Sequence, residues 1–352
     1  MANDHLSKAN GGEAESKIVV RSLYKIFGDD PQRALPLVLD GIGKEELLEK
    51  HNHVLGLADI NLEVEQGELF VVMGLSGSGK STLIRHFNRL IEPTSGSIVV
   101  DGDDVVSFSK SQLEQFRREK MSMVFQRFGL FPHRTVVENV GYGLEVQRQP
   151  KEAIREQAVK WIDRVGLKGF EDHFPGQLSG GMQQRVGLAR ALATDAEVML
   201  MDEAFSALDP LIRTDMQDLL LELQQQLHKT IIFITHDLDE ALKLGHHIAI
   251  LKDGLVVQSG DPQEIILNPA DPYIEDFVRD INRARVIRAR SVMTAPDGAP
   301  SGLPTVSVGD NLEAVLAKID GNPEATVLVE REGSVVGQLS ARTVLETLRP
   351  VS

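Results

Sequence analysis

The chain has 352 residues, 42% of them hydrophobic, and carries a formal net charge of −15. Beyond about 250–300 residues single cores stop growing, so this length predicts one large domain and a small one. The acidic balance excludes nucleic-acid binding through a global field, and the absence of cysteine excludes disulfides and thiolate metal sites. No run of about 18 apolar residues is present to span a bilayer.

Residues 1–17 are polar, lack the apolar core of a signal peptide, and are expected to form a disordered tail. A strand begins at Ile18–Val20, and Leu23–Phe27 adds two aromatics, Tyr24 and Phe27. Residues 31–55 interrupt with Pro31, Pro36, Gly41 and Gly43, ahead of a short amphipathic helix around Lys44–Lys50. Leu57–Val64 alternates as a strand, and Leu69–Met73 is an apolar run of the buried-strand type. Asp101-Gly102 suggests a hairpin, Lys110–Glu119 a helix and Met121–Gln126 a strand. Pro150–Val165 carries a helical stripe of Ile154, Ala158, Trp161, Ile162 and Val165.

Val198–Met201 is a short apolar strand ending in Asp202-Glu203, Pro210–Leu227 is an amphipathic helix, and Thr230–Thr235 is a strand followed directly by His236. Lys252-Asp253-Gly254 marks another hairpin. Short apolar strands alternating with helices predict an α/β fold with a mainly parallel, covered sheet, which binds ligands beyond the carboxyl ends of its strands. After a shift in composition near Tyr273–Arg290, the last 60 or so residues predict a separate βαββα unit.

The chemistry centres on the turn after Met73. Gly74, Gly79, Lys80 and Ser81 fit the phosphate-loop spacing G-x-x-x-x-G-K-[ST], with a strand before and a helix after. Gly74, Ser76, Gly77, Ser78 and Gly79 let the backbone curl so that N–H groups converge on an anion, and Lys80, Ser81 and Thr82 open a helix whose positive end faces it. Lys80 would reach the β- and γ-phosphates of ATP, and the Ser81 hydroxyl would ligate Mg2+. Asp202, at a strand end, can hold the Mg2+ shell, and Glu203 beside it can polarise an attacking water. In Leu178–Arg185, Ser179 is a helix N-cap, and Gly180 and Gly181 leave N–H groups open: a second anion site.

With both sites, residues 18–260 resemble the ATP-binding cassette (ABC) ATPases. The resemblance implies an ABC-type P-loop fold over residues 18–275, with a mixed sheet, an antiparallel β subdomain and a helical subdomain at about 127–192. It implies a head-to-tail homodimer with two ATP molecules, each between the phosphate loop of one chain and Ser179–Gly181 of the other. Gln126 matches the glutamine that senses Mg2+ and the membrane partner, Asp209 the loop that crosses the dimer, and His236 the switch histidine at the γ-phosphate. Phe27 matches the adenine-stacking aromatic, with Tyr24 the competitor. Phe128–Glu145 corresponds to the segment where the family docks an integral membrane permease; packing on its own helical subdomain is the alternative.

The insertion at 31–55 and the signature form with Met182 resemble the glycine betaine/proline importer branch, as does a C-terminal stretch similar to one CBS motif, at 291–352. The resemblance implies uptake of glycine betaine, proline betaine, choline or proline through a permease, fed by a periplasmic or extracellular binding protein. It also implies a peripheral place on the cytoplasmic face of the inner membrane. A missing second CBS motif could be supplied by the other chain. The alternatives are an importer for methionine or another amino acid, and a soluble cassette acting on DNA or translation. In a basic linker at 276–290, Arg279, Arg283, Arg285, Arg288 and Arg290 are read as a solvated face or as a contact with anionic lipid headgroups.

Overall fold

The structure is a computed structural model that describes residues 16–126, 129–296 and 302–349. The expected tail up to residue 15 and Phe128 of the expected docking segment lie outside the described residues. The chain divides into two compact units, residues 1–236 with 251–256, and residues 237–250 with 257–352.

In the first unit, β1 (Ser16–Phe27) pairs antiparallel with β2 (Val54–Glu65), from Ser16 opposite Glu65 to Phe27 opposite Val54. The insertion between them folds as two helices, α1 (Pro31–Leu39) and α2 (Lys44–His51). Only α2 was expected, because Pro36 reads as a breaker. Helix α1 forms because the Asp30 carboxylate accepts from Arg33 N–H at 3.2 Å and Pro31 presets the first turn. Its Ala34 and Val38 also close a small core with Ile26, Leu47, Leu55 and Ala58, against which Tyr24 packs.

The phosphate-loop strand β3 (Leu69–Met73) is buried at every residue and leads into α3 (Lys80–Phe87). The hairpin of β4 (Ser95–Val100) and β5 (Asp103–Asp104) turns at Asp101 and Gly102, both at positive φ, as predicted for Asp-Gly. Strands β2, β1, β4 and β5 form, in that order, an antiparallel sheet. Helix α4 (Lys110–Glu119) opens with a capping box from Ser109 and Gln112, and β6 (Met121–Val124) follows.

Within the expected helical subdomain, α5 (Val136–Val146) begins at a capping box from Thr135 and Glu138. Its glycines, which suggest a loop in the sequence, serve close packing. A Cβ on Gly141 would stand 2.6 Å from Ile154 Cγ2, and one on Gly143 would stand 2.2 Å from Thr194 Cγ2. Helices α6 (Lys151–Arg164) and α7 (Gly180–Ala193) complete this layer. Then come β7 (Val198–Asp202), α8 (Pro210–Leu227) and β8 (Thr230–Thr235). Strands β3, β8, β7 and β6 lie side by side and parallel, so Gly74, His236, Glu203 and Gln126 all emerge at one edge.

An alternating ion network ties the two sheets together. Lys17 on β1 bridges Asp101 and Glu197, and Lys120 bridges the same two carboxylates. Bonds from Lys120 and then Lys17 hold the Glu197 carboxyl down, from its usual 4.5 to about 2. A carboxyl whose folded pKa lies below its unfolded one stabilises the fold above the unfolded value and loses that contribution as pH falls toward the folded one. Glu197→Gln is therefore expected to lower the melting temperature near neutral pH, with the gap to wild type closing as pH falls from about 4.5 to about 2. A gap that ignores pH would contradict this role.

The second unit holds α9 (Leu238–Leu244), capped by the Asp237 carboxylate. Strands β9 (His247–Lys252) and β10 (Leu255–Gly260) follow, and the Asp253-Gly254 turn between them, at positive φ, belongs with residues 251–256 to the first unit. Helices α10 (Pro262–Leu267), α11 (Pro272–Val278), α12 (Arg283–Val286) and α13 (Ala289–Val292) follow. The remainder is β11 (Thr305–Ser307), α14 (Leu312–Ile319), β12 (Thr326–Arg331), β13 (Ser334–Ser340) and α15 (Ala341–Thr347), the βαββα order predicted from sequence. Strand β12 is parallel to β11 and antiparallel to β13. Ile266, Ile287, Val306, Val315, Val327 and Val344 share one core.

The five arginines all find acceptors within this unit. Arg283 donates to the carbonyls of Ile266 (2.7 Å), Thr347 (3.0 Å) and Arg349 (2.6 Å), and Arg288 to Gly309 (2.8 Å). Arg279 pairs with Asp276, Arg285 with Glu313 and Arg290 with Asp261. Arg279, Arg285 and Arg290 keep more than half of their side chains exposed in these pairs, as a solvated face does.

Candidate active site

The phosphate loop is built by steric exclusion. At Gly74 a Cβ would stand 2.2 Å from the Leu251 carbonyl oxygen, and at Gly79 it would stand 2.8 Å from that of Gly56. Both glycines are at positive φ, as is Gly77, which faces open space on the side where a Cβ would point. The Ser78 hydroxyl is buried without a hydrogen-bond partner, and the first-turn N–H groups of α3 lack intrahelical partners. A concave loop rich in unpaired donors fits a phosphate chain.

Lys80 is only 4% exposed and donates to the carbonyls of Gly74 (2.8 Å) and Leu75 (3.0 Å). Burial pushes its pKa below the usual lysine range, against the opposing pull of Glu203 and Asp202. The Ser81 hydroxyl donates to Asp202 Oδ1 at 2.9 Å, and Arg85, one helical turn further on, approaches Oδ2 at 3.4 Å. Hydroxyl and carboxylate oxygens at this spacing suit a hard divalent cation such as Mg2+. Among the described residues no three His, Cys, Asp or Glu side chains converge to hold a metal by themselves.

Glu203 is the hub. Its Oε2 accepts from Gln126 Nε2 at 3.1 Å and lies 3.5 Å from His236 Nδ1, while its Oε1 lies 3.9 Å from Lys80 Nζ. Its backbone is strained, with φ at 46°. That conformation is held by Glu203 N–H donating to Ile234 O (3.1 Å) and by Ser206 Oγ donating to Glu203 O (2.9 Å). Strain of this kind costs on the order of 1–3 kcal/mol and aims a side chain where a relaxed strand end would not.

Phe27 is 39% exposed, whereas Tyr24 faces the insertion core. Lys25 Nζ stands 4.9 Å from the Phe27 ring centroid. A Cβ on Gly56 would stand 2.7 Å from the same ring, and the Gly56 carbonyl abuts Gly79, so the ring sits one residue from the phosphate loop.

Ser179 caps α7, its Oγ accepting from Met182 N–H at 3.3 Å, and Asp209 caps α8, accepting from Ile212 N–H at 3.1 Å. Among the described residues no hydrogen bond or ion pair joins Ser179, Gly180, Gly181 or Asp209 to the phosphate loop. Arg85 and Gly56 went unnoticed in the sequence, whereas Ile212 stands there in the apolar stripe of Pro210–Leu227. Of the first two, only Arg85 left a signal there, four residues after Ser81 on the same helical face.

Residues 57–206 match the ABC transporter family model. The glycine betaine/carnitine transport ATP-binding protein GbuA of Listeria monocytogenes is 55% identical over 80% of this chain and 71% of its own length. The glycine betaine/proline betaine transport system ATP-binding protein ProV of Escherichia coli is 47% identical over 92% of this chain and 80% of its own. The chain belongs to the ABC transporter family. A solved dimeric, post-hydrolysis state of the ATP-binding cassette MJ0796 bound to ADP and Pi is 31% identical, with a TM-score of 0.60, covering 70% of this chain and 98% of that one. The fold is that of the ABC ATPases, and the chain is an ATP hydrolase.

Proposed function

We propose that this ATPase powers uptake of a compatible solute such as glycine betaine, proline betaine, choline or proline through a partner permease. The observation that carries the reading is the convergence of Gln126, Asp202, Glu203 and His236 on the loop that holds Lys80 and Ser81. Its solute class rests on the likeness to the two betaine transport proteins.

Lys80 and the turn of Gly74, Ser76, Gly77, Ser78, Gly79 and Thr82 bind the phosphates, and Phe27 stacks on adenine. Ser81, Asp202 and Gln126 would hold Mg2+, which would neutralise charge on the phosphate oxygens. Glu203 orients and deprotonates the attacking water, and His236 donates to the γ-phosphate. Ser179, Gly180, Gly181 and Asp209, which among the described residues make no hydrogen bond to their own phosphate loop, complete the site of a second copy in a head-to-tail homodimer. ATP then stabilises the closed dimer, and hydrolysis reopens it.

Phe131, Arg134 and Tyr142 form a stack, with the Arg134 guanidinium 5.0 Å from the Tyr142 ring centroid. Arg134 also lines a cavity of about 540 Å3, together with Val137, Gly141 and Ile154 and the charged Glu138 and Lys151. This face docks the permease, and the binding protein acts from the far side of the membrane. No helix among the described residues is long and apolar enough to cross a membrane, in keeping with a peripheral subunit on the cytoplasmic face. Residues 18–275 are read as the cassette, with the insertion at 31–55, the helical subdomain at about 127–192 and the linker at 276–290. Residues 291–352 are read as one CBS-like regulatory domain.

Uptake of labelled betaine, choline and proline in cells lacking this subunit tests the proposal. Betaine uptake is expected to fall to background and to return with the wild-type chain but not with Lys80→Ala. Undiminished uptake of all three solutes would overturn it.

A further inference from the structure

Gly181 stands in the first turn of α7 without a positive φ, so its backbone conformation admits any residue. What requires glycine there is space. A Cβ on Gly181 would stand 2.5 Å from Ile212 Cγ2, closer than real Cβ atoms approach a neighbour. The Ile212 backbone is held in place, because its N–H donates to the Asp209 carboxylate at 3.1 Å in the first turn of α8. The connection continues backward through the chain. Arg213 donates to Leu208 O at 3.2 Å, Leu208 N–H to Phe205 O at 3.1 Å, and Ser206 Oγ to Glu203 O at 2.9 Å. Hydrogen bonds, the peptide links between neighbouring residues and this packing contact therefore connect Glu203, through the turn that carries Asp209, to the Ser179–Gly181 turn of the same chain.

We infer that Ile212 is a positioning residue that sets the Ser179–Gly181 turn against the start of α8 and so ties it to Glu203. The inference rests on the proposed role of that turn as half of another chain's ATP site. A packed contact of this kind transmits displacement because close-packed side chains shift between discrete arrangements rather than deform. In a dimer, a change at one chain's Glu203 would then reach the nucleotide held by the other chain.

The test is a double-mutant cycle on the full-length chain, reading ATP turnover, equilibrium ATP affinity and melting temperature. Gly181→Ala is expected to lower turnover about 10-fold by overpacking against Ile212, with ATP affinity within about 2-fold because the phosphate loop is untouched. Ile212→Ala, which removes atoms rather than adding them, is expected to lose about 3-fold in turnover at unchanged affinity. The double variant should recover to the level of Ile212→Ala alone. The inference is overturned if the double variant is as slow as Gly181→Ala at a native melting temperature, or if Ile212→Ala turns over like wild type. Should Ser179→Arg leave turnover intact, the half-site reading itself fails, so the two failures are told apart.

Discussion

Glu203→Gln is expected to bind ATP with wild-type affinity, within about 3-fold, while turnover falls by roughly 10²–10⁴-fold, the usual contribution of a positioned general base. The substitution keeps size and shape, so Gln126 and His236 retain a partner at 3.1 and 3.5 Å, and only the proton acceptor is lost. The strained φ of 46° should persist, because the bonds to Ile234 O and from Ser206 Oγ that hold it involve only the backbone atoms of Glu203. With binding intact and hydrolysis blocked, closed dimers should accumulate. Turnover within 10-fold of wild type in single-turnover kinetics would place the base elsewhere.

Lys80→Ala should act on binding as well as on chemistry. The ammonium is nearly enclosed, and its present partners are two loop carbonyls and the nearby Glu203. Phosphate oxygens offer it charge-assisted bonds worth about 1.5–3 kcal/mol each, so losing one predicts a drop in ATP affinity of roughly 10–100-fold. Hydrolysis should fall below detection, since charge developing on the transferred phosphoryl group loses its nearest cation. Calorimetric titration with ATP measures the first effect and phosphate release the second. An unchanged affinity would mean that Lys80 does not touch the phosphates.

The phosphate loop and the strand-end residues were legible because their chemistry demands particular residues at fixed offsets along a strand, a turn and a helix. Gly74, Lys80, Ser81, Asp202 and Glu203 are of that kind. Helix α8 could be read to the residue, since Asp209-Pro210 starts it and its apolar stripe sustains it. What escaped depends on contacts between residues distant in the chain. Gly141 and Gly143 look like loop residues until Ile154 and Thr194 are seen pressed against them. Helix α1 hid behind Pro36, whose cost is offset by burial in a core made with β1 and β2. The exposure of Phe27, already preferred over Tyr24 by resemblance, has its physical reason in that core, against which Tyr24 packs.

The composite ATP site is tested most directly by sedimentation velocity of the Glu203→Gln chain with ATP and Mg2+, alone and combined with Ser179→Arg. The predicted result is a dimer for Glu203→Gln and a monomer for the double variant, because the added guanidinium blocks the turn that must close over the partner's nucleotide. A Glu203→Gln chain that stays monomeric with ATP, or a dimer that survives Ser179→Arg, would contradict the account.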